Sequence, residues 1–243
     1  MTNSKSPDII VAQRRAEERG RTDLGWLRSR HSFSFGEYYD PRHMGFRSLR
    51  VINDDWVKAG AGFDTHGHRD MEIITIVTDG SLEHKDSLGH GSILKPGEVQ
   101  VMTAGRGIRH SEFNPSRTEE ARFIQIWIEP HTTGLPPTYS QRSFALNGGV
   151  ASMTRIAGPA TKPDNALTIN QDAHLYMINL AENVSLSHSL TQGRGLWVHI
   201  IKGECTALER TLKQGDALAI EGAGEITLTG GAEPTAAILF DLA

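Results

Sequence analysis

Two short spacing patterns of histidine and glutamate are the part of this sequence best suited to chemistry. His66 and His68 lie two residues apart, just before an apolar run, and His110 and Glu112 repeat that spacing further along the chain. Side chains of a strand alternate between its two faces, so each pair projects from a single face. If the two strands are neighbours, three imidazoles and one carboxylate converge. The sequence therefore predicts a mononuclear metal site formed by His66, His68, His110 and Glu112.

This donor set is typical of divalent transition metals. Imidazole and carboxylate ligands suit iron, manganese, cobalt, nickel, copper or zinc, whereas calcium and magnesium prefer sites built from oxygen. Four protein ligands leave two positions open on a six-coordinate ion, but they fill a tetrahedral zinc site. The coordination number therefore decides between a catalytic and a structural site.

The elements that must position these ligands are predicted to be strands. Short runs rich in Ile, Val, Phe and Thr recur along the chain, for example at residues 71–77 and 123–128. Turn segments such as Lys95-Pro96-Gly97 separate them and supply residues that fix or tolerate unusual φ values. Several runs are apolar on both faces, as expected for strands enclosed in a barrel or double sheet. This pattern predicts an all-β, antiparallel, jelly-roll type of architecture with few short helices.

The strand pattern is interrupted once. Proline and glycine concentrate between Pro130 and about Asn165, including Gly148-Gly149 and Lys162-Pro163, and a second series of strand-like runs follows. Turn sequences in the two halves are similar to one another, which is consistent with a duplication. We predict two tandem β-barrels, at residues 1–140 and 141–243.

Composition and charge exclude several classes of protein. The formal net charge is −4 and no run of five or more like charges occurs, which argues against direct nucleic-acid binding. A lone cysteine, Cys205, excludes an internal disulfide and indicates a reducing compartment. The first residues are polar, and no apolar run approaches the ~18 residues of a membrane span. We expect a cytoplasmic, monomeric protein with no membrane contact.

Both ligand pairs lie in segments that resemble the two motifs of the cupin superfamily. The first motif is matched by the spacing of five residues, namely Gly60, His66, His68, Glu72 and Gly80. The second is matched by Gly107-Ile108-Arg109-His110-Ser111-Glu112-Phe113-Asn114. The stretches at residues 31–41 and 45–55, with Gln125-Ile126-Trp127, are more specific. They are similar to the pirin family, and closely to its bacterial members described as quercetin 2,3-dioxygenases.

The resemblance carries expectations for fold and ligands. It implies a bicupin with a metal-bearing N-terminal barrel and a C-terminal barrel that has lost its ligands. After residue 150 only three histidines remain, no two of them two residues apart, at His174, His188 and His199. The family's three histidines and glutamate fall on the four residues already singled out. Glu72 of the cupin motif is then not the carboxylate ligand.

The same resemblance implies a function. It points to a dioxygenase that cleaves the flavonol quercetin with O2 and releases carbon monoxide, with iron as the expected metal and Zn, Ni, Co, Mn or Cu as alternatives. A flavonol's 3-hydroxyl and carbonyl could chelate the open metal positions, and Glu112 is the candidate catalytic base. Two other functions stay open. One is a metal-dependent regulatory protein, either a transcriptional co-regulator or a partner of metabolic enzymes; the other is a dioxygenase acting on a different enol.

Polar residues near the ligand segments receive more ordinary interpretations. Glu72 and Asp70 either support an imidazole or form surface salt bridges, and Asn114 has the same two options. His31 and His43 are expected to serve turns or packing because neither has a spaced partner.

Overall fold

The computed structural model describes residues 9–144, 150–160 and 164–243. The chain divides into two compact units. The N-terminal unit comprises described residues 19–144, 157–160 and 164–172, and the C-terminal unit comprises residues 9–18, 150–156 and 173–243. The polar first eight residues, Gly148-Gly149 and Lys162-Pro163 lie outside the described residues. A division at a single position between residues 140 and 141 stays a prediction.

Regular structure in the described residues is almost entirely β-strand. The first twelve strands are β1 Ile10–Arg14, β2 Gly20–Asp23, β3 Leu27–His31, β4 Leu49–Val57, β5 Gly62–His68, β6 Glu72–Asp79, β7 Leu82–Asp86, β8 Gly91–Leu94, β9 Glu98–Thr103, β10 Ile108–Phe113, β11 Ala121–Ile128 and β12 Thr138–Ser143. The remaining ten are β13 Ala151–Gly158, β14 Leu167–Thr168, β15 Ala173–Leu180, β16 Ser185–Leu190, β17 Gly195–Lys202, β18 Glu204–Ala207, β19 Arg210–Lys213, β20 Ala217–Glu221, β21 Gly224–Gly230 and β22 Thr235–Leu242. A short 3₁₀ turn, Ala16–Glu18, is the one helical element in the part of the chain that is described.

The N-terminal unit is a double sheet. Its large sheet has the order β12-β9-β6-β11-β4-β3-β2, and its small sheet has the order β5-β10-β7-β8. The two sheets share an apolar cluster to which both contribute: Leu27, Val57, Val77 and Phe123 from the large sheet, and Leu82 and Leu94 from the small one. Burying each such side chain contributes about 1.5 to 3 kcal/mol, so this cluster holds the sheets face to face.

A row of polar side chains crosses the buried face of the large sheet. Its members stand at directly paired positions on β3, β4, β11, β6 and β9, in the order His31, Asn53, Gln125, Thr75 and Gln100. All five are buried. We call this set the central polar row. It exists because paired positions on adjacent strands project from the same face.

The central polar row separates two apolar layers. Two residues from Gln125 on β11 and from Thr75 on β6 lie Phe123 and Val77, which belong to the cluster shared by the sheets. In the opposite direction along the strands lies a second apolar cluster, which includes Ile73 and Met102 with Trp127 packed against it. The interior of this unit is therefore apolar at both ends and polar in the middle.

The C-terminal unit repeats the double-sheet plan. Strands β1-β20-β17-β22-β15-β13 form its large sheet and β16-β21-β18-β19 its small one. The pairings β1–β20, β20–β17, β17–β22 and β22–β15 are antiparallel, as are those of the small sheet. The prediction of an all-β chain built as two tandem antiparallel barrels with little helix is confirmed. No helix in the described part of the chain is long and apolar enough to cross a membrane.

Candidate metal centre

Two neighbouring strands of the small sheet carry the four predicted ligands. Strands β5 and β10 pair antiparallel, and His110 stands directly opposite His66. The register then shifts at a bulge, so that Glu112 stands opposite Phe63. A bulge re-aims side chains at the edge of an active site. The predicted adjacency of the two ligand pairs is what the fold produces.

The close approach of β5 to β10 depends on Gly62. A Cβ atom at this position would collide with the backbone carbonyl oxygen of Glu112 and with Phe113. Only glycine lets the two backbones come this close beside the site.

Three imidazoles converge at the end of this strand pair. The ligand atoms of His66, His68 and His110 all lie within 4.8 Å of one another. Ring centroids are 4.8 Å apart for His66 and His68, 4.5 Å for His66 and His110, and 4.9 Å for His68 and His110. The Nδ1 atom of His66 lies 2.8 Å from the carbonyl oxygen of Asp64, to which it can donate. Its Nε2 is thereby left for a ligand.

Electrostatics keep two of these imidazoles neutral. Burial, together with the neighbouring His66, lowers the pKa of His68 to about 4. Burial, with further contributions from His66, His68 and His84, lowers the pKa of His110 to about 2. A neutral imidazole has a free ring nitrogen, which is the form that binds metals.

Glu112 is a fully enclosed carboxyl group with one oxygen engaged. Its Oε2 accepts a hydrogen bond of 3.0 Å from Gln125 Nε2, and Gln125 Oε1 accepts one of 2.8 Å from the Thr75 hydroxyl. Burial raises the pKa of Glu112 to about 7, and the nearby Asp55 adds to the rise. Two members of the central polar row thus hold this carboxyl in place.

Two buried polar atoms test whether a metal fits here. His110 Nε2 and Glu112 Oε1 are buried and make no hydrogen bond to the described residues. Leaving such a group unsatisfied costs about 1 to 3 kcal/mol. Three imidazoles and a carboxylate are the donors that divalent transition metals prefer, and an ion between them would satisfy both atoms. The residues present therefore fit a metal ion.

A fourth histidine, which the spacing argument did not single out, lies beside this cluster. His84 on β7 is buried, and its ligand atom lies within 4.8 Å of those of His110 and Glu112. In each of two sets, the ligand atoms therefore lie within 4.8 Å of one another. One set belongs to His84, His110 and Glu112, and the other to His66, His68 and His110. His110 is the residue common to both sets.

A cavity of about 330 Å³ opens onto the cluster within the N-terminal unit. His66, His68 and Glu112 line it on one side. Its remaining walls combine flat or branched apolar groups with buried polar groups, among them Leu27, Phe35, Phe63 and Trp127, and Ser29, His31, Asn53 and Asp55. The volume and the mixed lining are typical of a site for a small organic molecule. An aromatic ligand with polar substituents suits such walls.

Comparison with known proteins identifies the family. Residues 12–128 match the family model described as Pirin, and residues 156–242 match one described as Quercetinase C-terminal cupin domain. A quercetin 2,3-dioxygenase from Escherichia coli K12 is 43% identical over 233 residues, which cover 96% of this chain and 99% of that protein. The chain belongs to the pirin family. The predicted resemblance is confirmed.

Solved structures agree with this assignment. The crystal structure of YhhW from Escherichia coli has a TM-score of 0.92 at 42% sequence identity and covers 96% of this chain and 98% of that one. Bacterial pirin YhhW in complex with nickel(II) gives a TM-score of 0.91 at 42% identity, covering 96% and 99% of the two chains. The bicupin fold expected from the sequence is therefore confirmed for this pirin.

Other residues considered from the sequence have structural roles. Glu72 accepts a hydrogen bond of 2.8 Å from the Thr103 hydroxyl and one of 3.1 Å from Asn170 Nδ2. Asp70 accepts a hydrogen bond of 2.6 Å from the backbone of Gly134. These two carboxylates tie strands and loops together, in place of the imidazole support or surface salt bridges considered from the sequence.

Asn114 and His31 also have defined partners. Asn114 Nδ2 donates to the carbonyl oxygens of Val57 and Glu119, at 3.0 and 2.8 Å. This amide therefore braces the backbone after β10. His31 belongs to the central polar row, where its Nδ1 lies 2.8 Å from Asn53 Oδ1, and it lines the cavity. Its role is wider than the turn or packing role expected from the sequence.

Proposed function

We propose that this pirin is a metal-dependent dioxygenase that uses O2 to cleave quercetin or a closely related flavonol, with release of carbon monoxide. The proposed ligands of its single divalent metal are His66, His68, His110 and Glu112. The observation that carries the proposal is the pair of buried, unpartnered donor atoms on His110 and Glu112 beside an organic-sized cavity. Relatives named quercetin 2,3-dioxygenase support the reaction class.

The metal, when bound, would act as a Lewis acid that lowers the pKa of a coordinated hydroxyl group. The chain's own residues do the remaining work. Aromatic walls at Phe35, Phe63 and Trp127 orient a flat ring system and exclude water from it. Glu112 is the proposed base, because a carboxylate that is itself a ligand lies next to any hydroxyl group that the metal would bind. Gln125 holds Glu112 by one oxygen and so limits its motion.

The identity of the metal is a separate proposal. Iron is our first expectation, and the nickel(II) complex of bacterial pirin YhhW makes nickel a strong second candidate for this chain. The donor set accepts both ions, as well as zinc, cobalt, manganese and copper.

The decisive experiment combines metal analysis with oxygen uptake. The purified chain is stripped with a chelator, reloaded with each of the six metals, and assayed with quercetin in an oxygen electrode while the flavonol absorbance is recorded. We expect one metal per chain, and coupled loss of oxygen and chromophore. His66→Ala should bring both to the buffer baseline, whereas His131→Ala, a change at an exposed histidine, should leave them intact. If no metal supports turnover, the proposed reaction is refuted.

We also propose that the chain acts as a cytoplasmic monomer that binds no nucleic acid directly, with its domain boundary near residue 140. The net charge of −4 supports the absence of nucleic-acid binding, and the presence of a single cysteine, Cys205, supports a reducing compartment. Sedimentation of the purified chain would reveal a dimer, and limited proteolysis would locate an exposed boundary.

A further inference from the structure

A chain of neighbouring side chains leads from the proposed metal ligand His110 to residues of β7. His110 Nδ1 lies 3.4 Å from His84 Nδ1, and His84 Nε2 lies 3.2 Å from Asp86 Oδ2. The side chains of His84 and Asp86 are both fully buried. The ring of Tyr139 stacks on His84, with centroids 4.7 Å apart and planes 28° apart, and so fixes the orientation of that ring.

The carboxylate of Asp86 is saturated with donors. Its Oδ1 accepts hydrogen bonds from the backbone N–H groups of Leu88 and His90, at 2.8 and 3.1 Å. Its Oδ2 lies 3.1 Å from His90 Nδ1 as well as 3.2 Å from His84 Nε2. A carboxylate only accepts hydrogen bonds, so the hydrogen on His84 must be on Nε2.

The position of the hydrogen on His84 determines the position of the hydrogen on His110. With its hydrogen on Nε2, the neutral His84 ring has a lone pair on Nδ1, which can accept only if His110 carries its own hydrogen on Nδ1. His110 Nε2 is then bare, and it is the atom that is buried without a partner among the described residues. The opposite arrangement would put a hydrogen on His110 Nε2 and block ligation.

We propose that His84 and Asp86 are positioning residues that hold His110 in the tautomer able to bind the metal. The inference rests on the proposed metal site. It also assigns a role to His84 other than that of a ligand, since both of its ring nitrogens are already engaged, one with Asp86 and one with His110. Such supporting partners commonly change metal affinity by about 10- to 100-fold.

Asp86→Asn is the sharpest test because it should exchange the donor and acceptor roles in both hydrogen bonds, the one to His84 and the one between His84 and His110. The amide oxygen must occupy the Oδ1 position to accept from the two backbone N–H groups, which places the NH2 group against His84 Nε2. His84 Nε2 would then accept, its Nδ1 would donate, and His110 would carry its hydrogen on Nε2. Glu83→Gln is the matched control, since Glu83 lies on the same strand and its carboxylate pairs with Lys85 near the surface.

Two measurements that need no substrate decide the matter. Nickel(II) affinity is measured by competition with a chelating indicator, and ring tautomers are read in the metal-free protein by long-range proton–nitrogen NMR after ¹⁵N-histidine labelling. We expect Asp86→Asn to weaken nickel binding about 10- to 100-fold. Glu83→Gln should stay within about twofold, as surface changes do. In the parent protein His110 should show its hydrogen on Nδ1.

Three results would overturn the inference. One is a hydrogen on Nε2 of His110 in the parent protein. This measurement does not use the Asp86→Asn variant, so it is decisive even if that variant does not fold. Another is an Asp86→Asn affinity equal to that of Glu83→Gln. The third is the loss of one nickel-bound imidazole in His84→Gln, seen by X-ray absorption, which would make His84 a ligand. Failure of quercetin turnover with the expected tautomer and affinities would instead refute the proposed reaction and leave the positioning role confirmed.

Discussion

Asp55 offers the clearest quantitative test of how this site affects stability. The residue lies on β4, is 4% exposed, and lines the cavity without being a proposed ligand. Burial raises the pKa of Asp55 from 3.8 to about 7; a hydrogen bond from Ser29 opposes the rise, and the charge of Asp54 adds to it. Asp55→Asn keeps the shape and the acceptor oxygen of the side chain but cannot ionise.

The magnitude follows from the difference between the folded and unfolded pKa values. In the unfolded chain Asp55 loses its proton near pH 3.8, whereas in the folded chain it keeps the proton until about pH 7. The stability contributed by this group is therefore complete below about pH 4 and is lost as the pH rises through 7. From pH 5 to pH 7 the loss is about 2 kcal/mol, because the slope of about 1.4 kcal/mol per pH unit declines as Asp55 begins to ionise in the folded chain. Over the whole range it is about 4 kcal/mol.

The assay is urea unfolding of the chelator-treated protein at several pH values between 5 and 8. The stability of Asp55→Asn relative to the parent should increase by about 3 kcal/mol between pH 5 and pH 8, so that the variant shows the shallower fall. Glu112 contributes a fall of the same sign, so some pH dependence remains in the variant. Asp79→Asn, at the exposed end of β6, should reproduce the parent curve. Equal slopes for the parent and Asp55→Asn would refute the reasoning.

Three further outcomes follow from other buried groups. Nickel(II) should raise the melting temperature more at pH 8 than at pH 5. The reason is that the carboxyl of Glu112, with its pKa raised to about 7, must lose its proton to bind the metal. An equal shift in melting temperature at both pH values would count against Glu112 as a ligand. Phe240→Ala should lower the unfolding free energy by about 3 to 5 kcal/mol in urea titrations, since this ring is fully buried in the C-terminal unit, and a loss below 1 kcal/mol would contradict that packing. Cys205 should react slowly with iodoacetamide in native protein and rapidly in urea, because burial raises the pKa of its thiol to about 11; equal rates would show the thiol to be accessible.

Strand periodicity was sufficient to predict the fold class and the common face of each ligand pair. Alternation with a period of two determines which residues share a face, and His66, His68, His110 and Glu112 do share one. What periodicity cannot supply is the list of neighbouring strands, because pairing partners are set by contacts distant in sequence. Adjacency of β5 and β10 came from the resemblance to a family, not from the spacing.

The same limit explains why the supporting residues were missed. His84 and Asp86 have the two-residue spacing of the ligand pairs, so a signal existed, but nothing local shows that β7 lies beside β10. Thr75 and Gln125 stand alone in apolar runs, where a single polar residue carries little information. Their meaning comes from register, which places them opposite each other and in contact with Glu112.

The two units differ in how their buried apolar side chains are arranged. In the C-terminal unit, whose described residues contain no comparable ligand cluster, one continuous apolar cluster extends from Ile178 to Leu239. In the described residues of the N-terminal unit, two separate apolar clusters lie on either side of the central polar row. A buried carboxylate needs donors that are themselves anchored, so Glu112 requires Gln125, and Gln125 requires Thr75. A polar row between two apolar clusters is what placing the proposed ligands inside a barrel requires, and a variant that made the row apolar should gain packing and lose metal.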